Sequence, residues 1–477
     1  MRHYLPFLPS YIVPPLIGLA AVFTFTRLLT PAEYGLYALT LSASQLVISV
    51  VFSWLQVAVK RFFVESREGG ALGALSVTVY SGYALLAAAT AIIFVIVTSV
   101  ADFAPALRAA LSFGVGLMLA RSLSMIVKAF RVSDLDALRY GLMECGESVL
   151  GFVAAAALVW GFHLGAPGLI LGLSLGALLP VVLEYPALRR NLRDGAFDRA
   201  LMVRLFAFAA PITVGYALEY VMSSSDRFLI QYFLGPSAVG VYAAAYTLSE
   251  RAISVVFQGV ALVGYPLLMG IMSREGVAAA RVQARANVDL LLVLAVPAWA
   301  GFVVGAPQVA AVLTGPAFAD SAAVLMPWIG SAVFLCCIRQ HYIDHAFHLA
   351  RRTDVYFYIA GIPALANIAL NVILLPRMGV AGAVAATVAS YALALLISIV
   401  LSMRIFPMPF PLVPALKVAA ASGIMAAVLK LAQFPPTTLG LAQLVTTGVA
   451  IYGLLALGLD LGGVRATARK LAGRAAW

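Results

Sequence analysis

Charged side chains are scarce in this sequence: they make up 11% of its 477 residues, against about a quarter in a soluble domain. Hydrophobic residues fill 63% of it, which excludes water as the main solvent. Long polar stretches are lacking as well, and with them any room for a catalytic domain outside a membrane. Cysteine is nearly absent; Cys145, Cys336 and Cys337 lie in apolar segments, have no metal-type spacing, and read as free thiols. No Walker loop, no GxSxG elbow and no HExxH pattern occurs, so neither ATP hydrolysis nor a recognised hydrolase chemistry is supported. The expectation is a protein that is not an enzyme and needs no cofactor.

Apolar runs of about 20 or more residues recur instead, each able to cross a hydrocarbon core of about 30 Å at about 1.5 Å per residue. Val77 to Val100 lacks the period-two alternation of a membrane strand, which excludes a barrel. The expected fold is an all-α polytopic membrane protein with about 14 transmembrane helices. They fall near 8–29, 36–59, 71–100, 105–128, 141–161, 166–186, 203–225, 238–267, 288–313, 321–345, 355–375, 380–404, 411–432 and 439–459. Pro14 and Pro15 sit in the first run with no small-residue cleavage pattern after it, so it reads as an uncleaved span.

The net charge of +11 is distributed unevenly. Even-numbered connections carry Lys60, Arg61 and Arg67, then Lys128, Arg131 and Arg139, then Arg189, Arg190, Arg193, Arg199 and Arg204. Later even connections continue with Arg274, Arg281, Arg285, Arg351, Arg352 and Arg404, and the tail adds Arg465, Arg469, Lys470 and Arg474. Odd connections hold only Arg27, Arg108, Arg227 and Arg377. Basic residues accumulate on the cytoplasmic side, so both termini are expected in the cytoplasm. Membrane topology thus accounts for the charge, and no nucleic acid partner is expected.

The sequence repeats itself. Leu29, Pro31, Gly35, Tyr37 and Ala38 return 205 residues later as Leu234, Pro236, Gly240, Tyr242 and Ala243. Gly165, Gly168, Gly172 and Gly176 return 214 residues later as Gly379, Gly382, Ala386 and Ser390. Spans one to six therefore match spans seven to twelve as parallel repeats. The expected division is an N-terminal lobe over 1–200, a C-terminal lobe over 201–408, and two further spans with a basic tail over 409–477. The small residues at every fourth position read as surfaces for close helix packing. Two repeats suit an alternating-access transporter with its site at the repeat interface.

Three segments carry a family resemblance: RLLTPAEYGLYAL from Arg27, SSSDRFLIQYFLGPSAVGVYAAAY from Ser223, and NVILLPRMGVAGAVAATVAS from Asn371. They resemble polysaccharide (O-antigen type) flippases of the multidrug, oligosaccharidyl-lipid and polysaccharide exporter superfamily. The resemblance implies a V-shaped pair of six-helix lobes around a central cavity in the bacterial inner membrane. It also implies movement of an undecaprenyl-pyrophosphate-linked oligosaccharide from the cytoplasmic to the periplasmic leaflet, coupled to an ion gradient. The partners it implies are that lipid-linked oligosaccharide, membrane lipid and polysaccharide assembly proteins.

A charge at the centre of a membrane helix costs about 2.5 to 3.5 kcal/mol on insertion scales, so intramembrane charges are the informative positions. Arg27, Arg121, Arg227, Arg251 and Arg339 are candidates for a clamp on a pyrophosphate, whose oxygens match the guanidinium fork. Glu144, Glu147, Glu219, Asp226 and Glu250 are candidates for ion coupling or for pairing with those cations. Glu144 and Glu147 share a helix face, where pairing with Arg121 is one reading and ion binding another. Tyr216, Tyr220, Tyr242 and Tyr246, four residues apart within each pair, read either as packing or as a surface for sugar rings. His341, Asp344, His345 and His348 share a helical side; an ordinary interfacial face is the plainer reading beside metal binding, and no metal is expected.

Other functions remain open from sequence. A multidrug or organic-cation antiporter of the same superfamily would want an acidic, arginine-poor cavity. A peptidoglycan lipid-precursor flippase would share the cationic cavity. A membrane scaffold of a glycan assembly complex would tolerate loss of the arginines, and a glycosyltransferase or polymerase would need a long loop bearing catalytic residues.

Overall fold

The computed structural model describes residues 8–101, 104–193 and 195–465. The tail cations Arg469, Lys470 and Arg474 lie outside the described residues. The described chain is helical throughout, without a strand, and divides into two compact units, Met1–Gly240 and Val241–Trp477.

In the first unit α1 is Leu8–Leu28, α2 Pro31–Glu68, α3 Leu72–Val100, α4 Pro105–Ser133, α5 Ala137–Gly161, α6 Gly165–Arg193 and α7 Arg199–Leu234. A capping box starts α2: Thr30 N donates to Glu33 Oε2 (2.9 Å), Glu33 N donates to Thr30 Oγ1 (3.3 Å), and Pro31 occupies the first turn. This explains the local sequence TPAE of the repeated motif. Its copy begins behind Gly235, whose φ of +83° ends α7. The two copies also touch. A Cβ on Gly35 would strike the Pro236 carbonyl, and one on Gly240 would strike the Pro31 carbonyl, so both glycines are there for backbone approach.

The first unit's core runs through α2, α3, α4 and α7, with Phe52, Leu55, Val79, Ile126 and Leu205 buried together. The glycine stripe of α6 packs on α5, as its spacing implies. A Cβ on Gly176 would come within 2.5 Å of the Glu147 carbonyl and 2.6 Å of Gly151 Cα. Gly176→Val should therefore force the two backbones apart at a cost of about 1 to 3 kcal/mol, read as a lower unfolding temperature of the purified protein in detergent.

The helix α8, Pro236–Glu275, crosses the boundary between the units. The second unit continues with α9 (Val277–Val304), a short helix Ala306–Leu313, α10 (Pro316–Leu349), α11 (Tyr356–Met378), α12 (Val380–Ile405), α13 (Leu412–Ala432) and α14 (Thr438–Leu459). Small residues again set one contact: a Cβ on Gly382 of α12 would lie 2.5 Å from the Leu374 carbonyl of α11. The last two helices seat on α9, where Ala300 packs with Met425, Leu429 and Leu444, and Val293 with Val418 and Ala456. Thirteen helices are long and apolar enough to cross a membrane, and α1 adds 21 residues with an apolar part over Ile12–Leu28. The expected count of about 14 is met.

The boundaries differ from the hydropathy reading in one consistent way. Lys60, Arg61 and Arg67 lie on α2, and Lys128 and Arg131 on α4, rather than in connections. Helices outrun the apolar core by several turns, because backbone hydrogen bonding favours continuing the ladder where side chains are already polar.

Candidate functional site

The first unit holds a groove of about 550 Å³ between α2, α4 and α7. Gln45, Ser49, Ser53, Gln56 and Lys60 line it from α2, together with Arg61, while Met125 comes from α4 and Phe208, Ile212 and Tyr216 from α7. Gln45 to Lys60 follow spacings of four, four, three and four, which keeps them on one side of a helix. Inside this stripe the ladder loosens into a π-turn at Ile48–Phe52, and Ser53 Oγ donates to the Ile48 carbonyl at 3.1 Å. Such bulges re-aim side chains and occur often at functional sites. Lys60 Nζ donates to Gln56 Oε1 at 3.3 Å. The side chains of Gln45 and Ser49 have no hydrogen-bond partner among the described residues, although Ser49 is buried. An unsatisfied polar group at membrane depth is expensive unless water or a ligand meets it.

Arg121 stands near the middle of the 29-residue α4, one turn from Met125 and on the same face. It is half-buried, and no described residue bonds to it or pairs with it. Glu144 and Glu147, for which pairing with Arg121 was one of two readings, meet another cation: Lys128 Nζ lies 2.8 Å from Glu144 Oε2 and 2.9 Å from Glu147 Oε2. Ser124 Oγ adds a third bond to Glu147 at 2.7 Å. The pairing has a simple cause. Lys128 is one helical turn nearer than a connection would put it, so it reaches α5 and takes both acids.

A second charge network closes one end of this unit. Glu184 of α6 is 7% exposed and bonds to Arg131, with Arg139 at 3.8 Å; Asp134 pairs with Arg67 at 2.6 Å. Sequence reasoning passed over Glu184 because it falls at the edge of an apolar run among arginines, where a solvated acid is ordinary.

The remaining candidates are dispersed. Arg27, exposed at the end of α1, folds back onto its own helix: it donates to the Phe23 carbonyl at 2.7 Å, with its guanidinium 3.8 Å from the Phe23 ring centre. Arg227 is half-buried and donates to Ser224 Oγ at 3.3 Å, beside the buried Asp226; Glu219 is half-buried on the same helix.

In the second unit Arg251 is half-buried on α8, and its Nε is buried without a hydrogen bond, while neighbouring Glu250 is exposed. Arg339 is 1% exposed and its Nη1 bonds Asp344 Oδ2 at 2.9 Å; Ser398 Oγ donates to the other carboxylate oxygen at 2.9 Å. Asp344 is therefore engaged away from the histidines. His348 Nε2 lies 3.1 Å from the Tyr356 hydroxyl, and Tyr265 packs against His345 and His348. Among the described residues no three His, Cys, Asp or Glu converge on a metal position. The tyrosines divide: Tyr242 and Tyr246 are buried against Thr387 (3.2 Å) and Tyr391 (2.9 Å), Tyr220 donates to the Ser42 carbonyl (3.0 Å), and Tyr216 faces the groove.

The sequence model of a family described as polysaccharide biosynthesis protein matches residues 24–323. Among solved structures, the chain resembles the lipid II flippase MurJ in an inward closed conformation, with a TM-score of 0.75 and 14% identity over 95% of this chain and 98% of that one. It also resembles a multidrug resistance MATE family transporter of the MOP superfamily in an inward-facing conformation, with a TM-score of 0.63 and 15% identity over 84% of this chain and 94% of that one. A MOP superfamily transporter from Pyrococcus furiosus, described as having a binding pocket of reversed polarity, gives 0.56 at 14% identity over 85% and 94%. At such identities the likeness is one of fold. No curated protein matches the sequence.

Proposed function

The chain belongs to the polysaccharide biosynthesis protein family, and on that footing we propose that it is a flippase for an undecaprenyl-pyrophosphate-linked oligosaccharide. It moves that lipid from the cytoplasmic to the periplasmic leaflet of the bacterial inner membrane by alternating access, supplying O-antigen, exopolysaccharide or capsule synthesis. No bond is made or broken in the step, so the protein is a transporter and not an enzyme. Arg121 carries the reading: a guanidinium held in mid-helix with no bonding partner among the described residues is stabilised by water or by an anion that visits it. A pyrophosphate suits it, since a planar fork and paired oxygens form charge-assisted bonds at any physiological pH. Arg251, with a buried and unsatisfied Nε, supplies a second cation of the same kind in the other unit. The excess of basic residues near the even-numbered connections supports an orientation with both termini in the cytoplasm, the side on which such a lipid is assembled.

A drug-cation exporter would place unpaired carboxylates where this chain places arginines. Reconstituted in vesicles, the full chain should move a fluorescent undecaprenyl-pyrophosphate oligosaccharide between leaflets and leave ethidium undisplaced. Movement of ethidium with no movement of the lipid would assign the chain to drug export instead.

A further inference from the structure

Pyrophosphate recognition leaves most of the groove in the first unit without a task. Its cations, Lys60 and Arg61, sit together at one end, whereas Gln45, Ser49 and Gln56 carry only amides and a hydroxyl. From Gln45 to Lys60 the stripe runs about 22 Å along α2, far longer than two phosphates need. A polyprenyl tail would fit it poorly, because hydrocarbon against Gln45 and Ser49 leaves their polar atoms unsatisfied. A phosphate laid along Gln45 and Ser49 would meet amide and hydroxyl groups from α2 rather than a cation of that helix.

Amides and hydroxyls that both donate and accept, spaced one turn apart, match the hydroxyl and acetamido groups of sugar rings. On the facing wall Tyr216, 53% exposed, offers an aromatic surface to the C–H face of a ring. We infer that this groove binds the uncharged sugar rings that the pyrophosphate carries, with Lys60 and Arg61 closing one end of it. The inference rests on the lipid-linked substrate proposed above and adds to it a specificity-determining surface. Glycan recognition is thereby separated from anion recognition: amides and hydroxyls on α2 read the sugar, and guanidinium groups hold the headgroup.

The test compares two lipids on the full chain in nanodiscs: undecaprenyl pyrophosphate bearing a neutral trisaccharide, and undecaprenyl pyrophosphate alone. The intact protein should bind the glycosylated lipid about tenfold or more tighter, as two or more neutral hydrogen bonds of about 1 kcal/mol allow. The double variant Gln45→Leu with Ser49→Ala should bind both lipids alike, with the bare lipid held as by the intact protein. If that variant loses the bare lipid as well, Gln56→Leu is measured in its place and should narrow the preference. Equal binding of the two lipids by the intact protein, or a preference that survives both substitutions, overturns the inference while leaving a lipid flippase. Binding of neither lipid by the intact protein removes the lipid-linked reading itself.

Discussion

Arg121→Ala should lower protein-dependent flipping of the lipid-linked oligosaccharide about ten- to a hundredfold, while leaving the protein as stable as before or more so. The two effects have opposite signs for one reason. A bidentate contact between guanidinium and phosphate contributes about 1.5 to 3 kcal/mol, and each 1.4 kcal/mol is about tenfold in occupancy or rate. Without substrate, however, the same guanidinium has no bonding partner among the described residues, and removing it from a membrane helix relieves part of an insertion cost of about 2.5 to 3.5 kcal/mol. A residue kept for packing would show both activity and stability falling together. Arg121→Lys keeps the charge but loses the planar fork, so it should recover part of the rate. Initial flipping rates at matched protein density, set beside unfolding temperatures in detergent, check this; unchanged flipping in the alanine variant would remove Arg121 from the clamp.

The spans and the repeat were legible because each rests on a quantity that sequence displays directly. Apolar run length fixes the crossing of a membrane, and the repeated Pro-x-x-x-Gly carries its own reason, since both glycines admit backbone rather than side chain. Hydropathy failed where a helix continues past its apolar part. Lys128 read as a loop residue, so its pairing with Glu144 and Glu147 was missed and those acids were weighed against Arg121. The groove stayed hidden for another reason: attention to charge passes over Gln45, Ser49, Ser53 and Gln56, which barely disturb the mean hydropathy of an apolar span. Their spacing was nevertheless visible, and polar residues recurring every three or four positions through a span are the signal to seek. The histidines misled in the opposite sense. Spacing grouped Asp344 with them, whereas three-dimensional packing gives it to Arg339 and Ser398.

That last pair leads to the largest effect expected on stability. Asp344→Ala strands the guanidinium of Arg339, 1% exposed, without its carboxylate, and should destabilise the second unit by about 3 to 5 kcal/mol. Ser398 loses an acceptor at the same time. Loss of monodisperse protein on extraction and a sharply lower unfolding temperature are the expected readouts. The double variant Arg339→Met with Asp344→Val removes both charges in similar volume, and replacing a buried pair by apolar side chains is often neutral or favourable by about 1 to 4 kcal/mol. It should therefore recover the stability that the single variant loses. Flipping by the double variant then decides what Arg339 is for. Transport near that of the intact protein makes the pair a structural strut within α10, bridging to α12 through Ser398, and takes Arg339 out of the clamp. Recovered stability without recovered transport would instead mean that the guanidinium leaves Asp344 during the cycle and contacts the anionic headgroup.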